Sequence, residues 1–176
     1  KGGVVHNGTM ANRYVFPVFN SKKELIGVTG RHVKDALEGK PKWLHRGRTS
    51  EWKYPLQVNQ KILKEKKEII LIESIGDMLA LWECGIKNTM VVFGLNISPS
   101  FISLLIKLDP DKIFVSFNDD SDNNNAGNKG VEAATRKLKK YFDPHQIEVA
   151  FPTQNDFGDM SREEILKWKE INTLKK

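Results

Sequence analysis

The chain has 176 residues and a formal net charge of +6, and 39% of its residues are hydrophobic, enough for a real core in one large domain or two small ones. Its one cysteine, Cys84, excludes a disulfide framework and a cysteine-rich zinc ribbon within the chain and fits a reducing, cytoplasmic compartment. No apolar run reaches the length of a membrane span and no signal-peptide pattern is present, so no membrane partner is expected; an opening Lys1 in place of Met reads as a piece excised from something longer.

Charge is divided unevenly. Residues 1–67 hold 15 Lys and Arg against 5 Asp and Glu, a net +10, while residues 68–176 hold 13 against 17, a net −4. A basic front and an acidic back suggest a polyanion path beside a metal site. Lys64, Lys66 and Lys67 also read simply as the solvated end of a helix.

In chain order, residues 1–12 read as a polar loop around Gly2-Gly3 and Asn7-Gly8. Residues 14–19 read as a strand that Pro17 places at an edge or bulge. After a turn at 20–23, residues 25–31 make the return strand of an antiparallel hairpin. Residues 34–55 scatter aromatics among cations (Lys42-Trp43, Arg46, Arg48, Trp52-Lys53-Tyr54) and read as mostly irregular. From Leu56 the period turns helical as far as Lys67. Residues 69–72 are apolar without alternation, as in a strand buried on both faces. A helix over 76–84 ends at Gly85. A strand over 89–93 reaches Gly94, and Ser98 with Pro99 caps a helix running to Leu108. A strand over 113–117, a helix over 130–141 and a strand over 147–151 follow. Ser161-Arg162-Glu163-Glu164 is a capping-box signature for a last helix. Alternation of strand and helix over 69–176 predicts an α/β fold with a parallel sheet covered on both faces, preceded by a small antiparallel β unit.

Acids recur where those strands end. Glu73 closes the first, and Asp77 lies four residues on, in the first turn of the next helix. Two acids at one mouth suit a divalent cation or proton transfer, and a helix N-terminus also favours acidic side chains. Asn118-Asp119-Asp120-Ser121-Asp122 follows the third strand. An EF-hand counted from Asp120 fails, because Asn125 stands where glycine is needed and Val131 where glutamate is needed; a polar turn remains open. Asp156 and Asp159 follow the last strand. Carboxylates packed together repel unless cations or raised pKa values intervene, and hard oxygen ligands favour Mg²⁺ or Mn²⁺. The four histidines show no ligand spacing with Cys84.

Glu73-Ser74-Ile75-Gly76-Asp77 before an apolar helix, then Phe93-Gly94, then an aromatic strand running into acids, resembles the TOPRIM fold of bacterial-type (DnaG-like) primases, topoisomerases and some nucleases. Arg13 to Val18 followed by Ile26 to Arg31 resembles the strand pair that precedes this module in the primases, and Lys40-Pro41-Lys42-Trp43-Leu44 their next basic-aromatic element. The resemblance covers residues 12–160 and is strongest to phage or mobile-element versions. It divides the chain into a basic subdomain (1–67), a TOPRIM domain (68–160) and a C-terminal helix (161–176).

What the resemblance implies is a DNA primase catalytic core, synthesising short RNA primers on single-stranded DNA from ribonucleoside triphosphates with Mg²⁺ or Mn²⁺, for a replicative helicase. Glu73 would be the catalytic carboxylate, and Asp77 would hold its surroundings and share in the metal mouth. Asp120 would match the second acid of an Asp-x-Asp pair. Asn118 falls where the first acid belongs, a departure for which Asp122 could substitute in a shifted register. Asp156 and Asp159 would form the trailing acidic element. Arg13, Arg31, Lys42, Arg46 and Lys53 would line the template and nucleotide path, with Trp43, Trp52 or Tyr54 either stacking on bases or packing in a core. Arg31 follows Gly30, where backbone can lie close to a ligand. Two further readings stay open: phosphodiester cleavage by the same acids, as in a TOPRIM nuclease or topoisomerase, and a nucleic-acid-binding module with a weakened metal site.

Overall fold

The computed structural model describes residues 2–34, 41–118 and 126–173, with backbone alone at 126–128 and 173. The chain divides into two units, Lys1–Trp52 and Lys53–Lys176.

The first unit is an antiparallel meander of β1 (Gly3–Val5), β2 (Arg13–Phe19), β3 (Leu25–His32) and β4 (Trp43–Gly47) in sequence order. The β2–β3 hairpin is the one expected, and Pro17 sits in β2 opposite Val28 just before a register shift at Val18/Phe19. Two strands escape a reading of periodicity. β1 is three residues long, and β4 runs from Trp43-Leu44 straight into His45 and Arg46, so neither alternates. Each owes its extended form to its neighbour, β1 to β2 and β4 to β3. Gly27 and Gly47 form a bare strip here: a Cβ at either would collide with Trp52, which is 1% exposed.

The second unit opens with α1 (Leu56–Lys66) and continues β5 (Glu68–Ile72), α2 (Ile75–Glu83), β6 (Thr89–Val91), α3 (Pro99–Leu108), β7 (Lys112–Val115), α4 (Ala126–Leu138), β8 (Ile147–Val149) and α5 (Arg162–Thr173). All pairings in its sheet are parallel, in the order β6-β5-β7-β8. Central β5 is apolar and buried from Ile69 to Ile72 because both faces are covered. Ile69 and Leu71 join a core with Met90, Ile113, Val115, Phe117 and residues of α1, α3 and α4. Alternation turns Ile70 and Ile72 to the other face. Each such buried side chain contributes about 1.5–3 kcal/mol.

Local sequence places the helix starts. Ser98 Oγ accepts from Phe101 N, with Pro99 at the first helical position of α3. Ser161 N donates to Glu164 Oε2 at 2.7 Å, and Glu164 N to Ser161 Oγ at 3.3 Å, which is the capping box at the head of α5. Strand order then decides where a site can form. The chain leaves β5 to one side for β6 and crosses back to β7 on the other, so β5 and β7 bound a topological switch point. At such a point, open α/β sheets expose a crevice at the carboxyl ends of the strands.

Candidate active site

Glu73 and Asn118 follow the two strands that bound this switch point. The Asn118 backbone N–H donates to Glu73 Oε1 at 3.3 Å. Glu73 is half-buried, and that bond holds one of its carboxylate oxygens against the Asn118 backbone.

The turn after Glu73 is a closed device. Ser74 caps α2: its Oγ accepts from Asp77 N at 3.2 Å, while Asp77 Oδ2 accepts from Ser74 N at 3.0 Å and from Ser74 Oγ at 2.8 Å. Asp77 Oδ1 points elsewhere and accepts from Phe157 N at 3.1 Å, 80 residues away in sequence. One carboxylate thereby ties the Glu73 turn to the acidic loop beyond β8. Asp77 is 2% exposed. Burial pushes its carboxyl up to about 6, the Asp156 charge adds to that, and the bonds from Ser74 and Phe157 pull the other way. Both of its oxygens are occupied by protein donors. It braces the site from behind.

The loop it grips is itself anchored. Phe157 is buried and meets Trp168 of α5 edge-on, ring centroids 4.9 Å apart. Trp168 Nε1 donates to Phe151 O at 2.8 Å, joining α5 to the segment just past β8. Asp156 Oδ1 accepts from Asp159 N at 2.9 Å, which folds the acidic turn on itself and leaves Asp159 exposed. Phe157, Trp168 and Ser74 carry no chemistry of their own and do not stand out in the sequence as site residues. Only the Ser-x-x-Asp spacing at 74–77 signals a cap.

Asp120 and Asp122 lie outside the described residues. Among the described residues no group of three or more His, Cys, Asp or Glu side chains stands close enough to hold a metal ion. The donor chemistry at the edge is hard oxygen throughout: a carboxylate at Glu73, an amide at Asn118, and carboxylates at Asp156 and Asp159. That set suits Mg²⁺ or Mn²⁺.

The basic residues fall into distinct situations. Arg13 is 4% exposed, and its guanidinium donates to the carbonyls of Gly30 (3.1 Å), Lys42 (3.1 Å) and Pro41 (2.8 Å). It reaches them across Gly30, where a Cβ would stand 3.2 Å from the Arg13 Cβ. Arg13 thus braces the segment that presents Lys42, whose side chain is exposed, as is that of Arg46. Arg31 is half-buried on β3. In the second unit, Lys53 Nζ bonds Ser100 Oγ at 2.7 Å and lies 5.6 Å from the Phe101 ring centroid, at the start of α3. Trp52 is core, and Tyr54 meets Phe93 edge-on at 6.1 Å. Gly94, with φ +119°, follows in the turn beyond β6.

A parallel four-stranded sheet flanked by helices, with Glu73 and Asn118 following the two strands that bound its switch point, is the architecture of a Toprim module. The chain belongs to the Toprim-like family, whose model matches residues 70–161. Among curated relatives, the DNA primase of Borreliella burgdorferi is 29% identical over 170 residues, 93% of this chain and 30% of the relative. The DNA primase of Helicobacter pylori strain J99 is 25% identical over 134 residues, 73% and 23% respectively. The chain therefore spans less than a third of the length of these relatives, which are bacterial and lend no support to a phage origin. Among solved structures, a DnaG primase catalytic domain bound to single-stranded DNA superposes with a TM-score of 0.74 at 19% identity, over 97% of this chain and 55% of that one. A DNA primase domain from Pseudomonas aeruginosa gives 0.72 at 23% identity, over 93% and 52%. The fold is that of bacterial primase catalytic cores.

Proposed function

We propose that this chain is the catalytic core of a bacterial-type DNA primase, an enzyme of the cytoplasm that copies single-stranded DNA into short RNA primers. One observation carries the reading furthest. The Asp77 carboxylate brackets the Glu73 turn and the 156–159 loop together at the switch point of a primase-type sheet. The relatives named above are DNA primases, and one structural neighbour is described as bound to single-stranded DNA.

Primer extension joins a 3′-hydroxyl oxygen to the α-phosphorus of a ribonucleoside triphosphate, the hydroxyl losing its proton and pyrophosphate leaving. In this reading Glu73 is the carboxylate that takes that proton. Glu73, Asn118, Asp120 or Asp122, Asp156 and Asp159 would hold Mg²⁺ or Mn²⁺, which supplies charge neutralisation for the triphosphate. Asn118 brings an oxygen without a charge, so Asp120 and Asp122 carry more of the attraction than a paired arrangement would ask of them. Asp77 keeps the bracket closed. Arg31, Lys42, Arg46 and Lys53 offer cations to template or nucleotide phosphates, with Arg13 holding the Lys42 segment in place.

The test mixes the protein with single-stranded DNA, labelled ribonucleotides and Mn²⁺ and resolves the products on a gel. Oligoribonucleotides appear, and Glu73→Gln reduces them by at least a hundredfold, the scale of losing a positioned base. Shortened DNA with no RNA product would instead assign the same acids to cleavage.

A further inference from the structure

Among the described residues, β8 pairs with β7 alone and stands at the margin of the parallel sheet. Ala150 N donates to Val115 O at 3.1 Å. Backbone groups alternate in direction along a strand, so the residues on either side of Ala150 face away from β7. Val149 therefore presents both its N–H and its C=O to the open side, and Phe151 presents its N–H. Phe151 O is taken by Trp168 Nε1. A strand margin in this state is a template for a further strand.

A groove of about 610 Å³ lies beside that margin, between β8 and α4. Val131, Val149 and Phe151 give it an apolar floor. Val149 is in register with core Val115, on the face that α4 covers, and yet remains 40% exposed. The rim is charged. Arg136 and Lys139, three residues apart and so neighbours on α4, both line the groove and both are exposed. They stand in the part of the chain whose net charge is −4, so their positive sign is a local feature. A nucleic acid or a small anion would meet these cations and leave the backbone groups of Val149 unpaired. A second copy of this chain, joined margin to margin, would set the same cations on both sides of one interface. An extended peptide with acids among apolar side chains meets the backbone, the floor and the cations together.

We infer that the β8 margin and its groove form a docking site for an extended, acidic and apolar segment of a partner protein, which adds a strand to the sheet. The main chain of that segment pairs with Val149 and Phe151. Its apolar side chains cover Val131 and Val149, and its carboxylates meet Arg136 and Lys139. None of these residues is among those assigned to primer synthesis, so the inference stands independently of that reading.

The experiment titrates the whole 176-residue chain with the peptide Val-Thr-Val-Thr-Glu-Thr-Asp and follows backbone amide resonances by NMR. The valines and acids of this peptide share one face when it is extended. The Val149 and Phe151 amides shift, and at saturation hydrogen exchange at Val149 slows about tenfold or more, as a new ladder bond requires. A peptide with lysine in place of both acids binds about tenfold more weakly at low salt. The double variant Arg136→Glu with Lys139→Glu reverses that preference. Both substitutions fall on exposed side chains, so the remaining amide resonances and primer synthesis are unchanged. Unaltered exchange at Val149 overturns the inference, and so does equal binding of the two peptides. Displacement of the acidic peptide by oligothymidylate gives the groove to nucleic acid and overturns it. Self-association that protects Val149 without peptide gives it to a second copy and overturns it equally. Peptide binding by a protein that makes no primers overturns the primase reading alone.

Discussion

At Asp77 two opposing effects meet on one side chain. Withdrawal from water and the neighbouring Asp156 charge disfavour ionisation, and three donor groups from Ser74 and Phe157 favour it. Burial wins, and the carboxyl titrates near 6 against an ordinary value of 3.8. A raised folded-state pKa means that the folded protein holds the proton more tightly. The resulting stability is fully present below pH 3.8 and is lost as pH rises through 6. The shift corresponds to about 3 kcal/mol. Urea unfolding at pH 4 and pH 7 checks it against Asp77→Asn, which does not titrate: between those pH values wild type loses about 2.4 kcal/mol relative to the variant, most of the full shift. A gap that does not move contradicts this account of Asp77. At the same scale, Arg13 and Arg31 look alike in sequence, each a cation in a strand of one hairpin. Packing separates them, because Arg13 spends its donors on three carbonyls.

At the scale of elements, the site is a strand-end turn and a loop held together by a helix. Phe157 joins them, buried between the acidic turn and Trp168 of α5. Phe157→Ala removes that ring and leaves the backbone bond to Asp77 without support. It lowers stability by about 3–5 kcal/mol, read as a lower urea midpoint, and primer synthesis falls with it at temperatures where the protein stays folded. An unchanged midpoint would show that α5 does not secure the loop. Much of this architecture is legible in the sequence. β5 is recognisable from four successive apolar residues, and α3 and α5 from Ser98-Pro99 and the 161–164 box. Those signals are local, and local chemistry produces them. β4 is not legible, since Trp43 to Gly47 become a strand only when β3 lies alongside. The Asp77–Phe157 bond spans 80 residues, and no short pattern encodes it.

At the scale of the whole molecule, the uneven charge is the feature with the widest reach. A net +10 over residues 1–67 predicts that affinity for single-stranded DNA falls steeply with salt. Each phosphate contact contributes about 0.7 to the slope of log affinity against log salt concentration. Arg46→Ala, which removes an exposed cation from β4, lowers that slope by about 0.7 in a salt titration if Arg46 meets the strand, and an unchanged slope places the path elsewhere. The acidic remainder follows from its own task. The residues after β5 and β7 share one edge of one sheet, and Asp77 draws the Glu73 turn and the 156–159 loop together.

That shared edge is tested most directly by titrating the protein with Mn²⁺ and following uptake by electron paramagnetic resonance. The account predicts that wild type takes up Mn²⁺ and that Glu73→Gln and Asp156→Asn each weaken uptake about tenfold or more, as expected when a charged oxygen ligand becomes a neutral one. Uptake of equal affinity in wild type and both variants would contradict it.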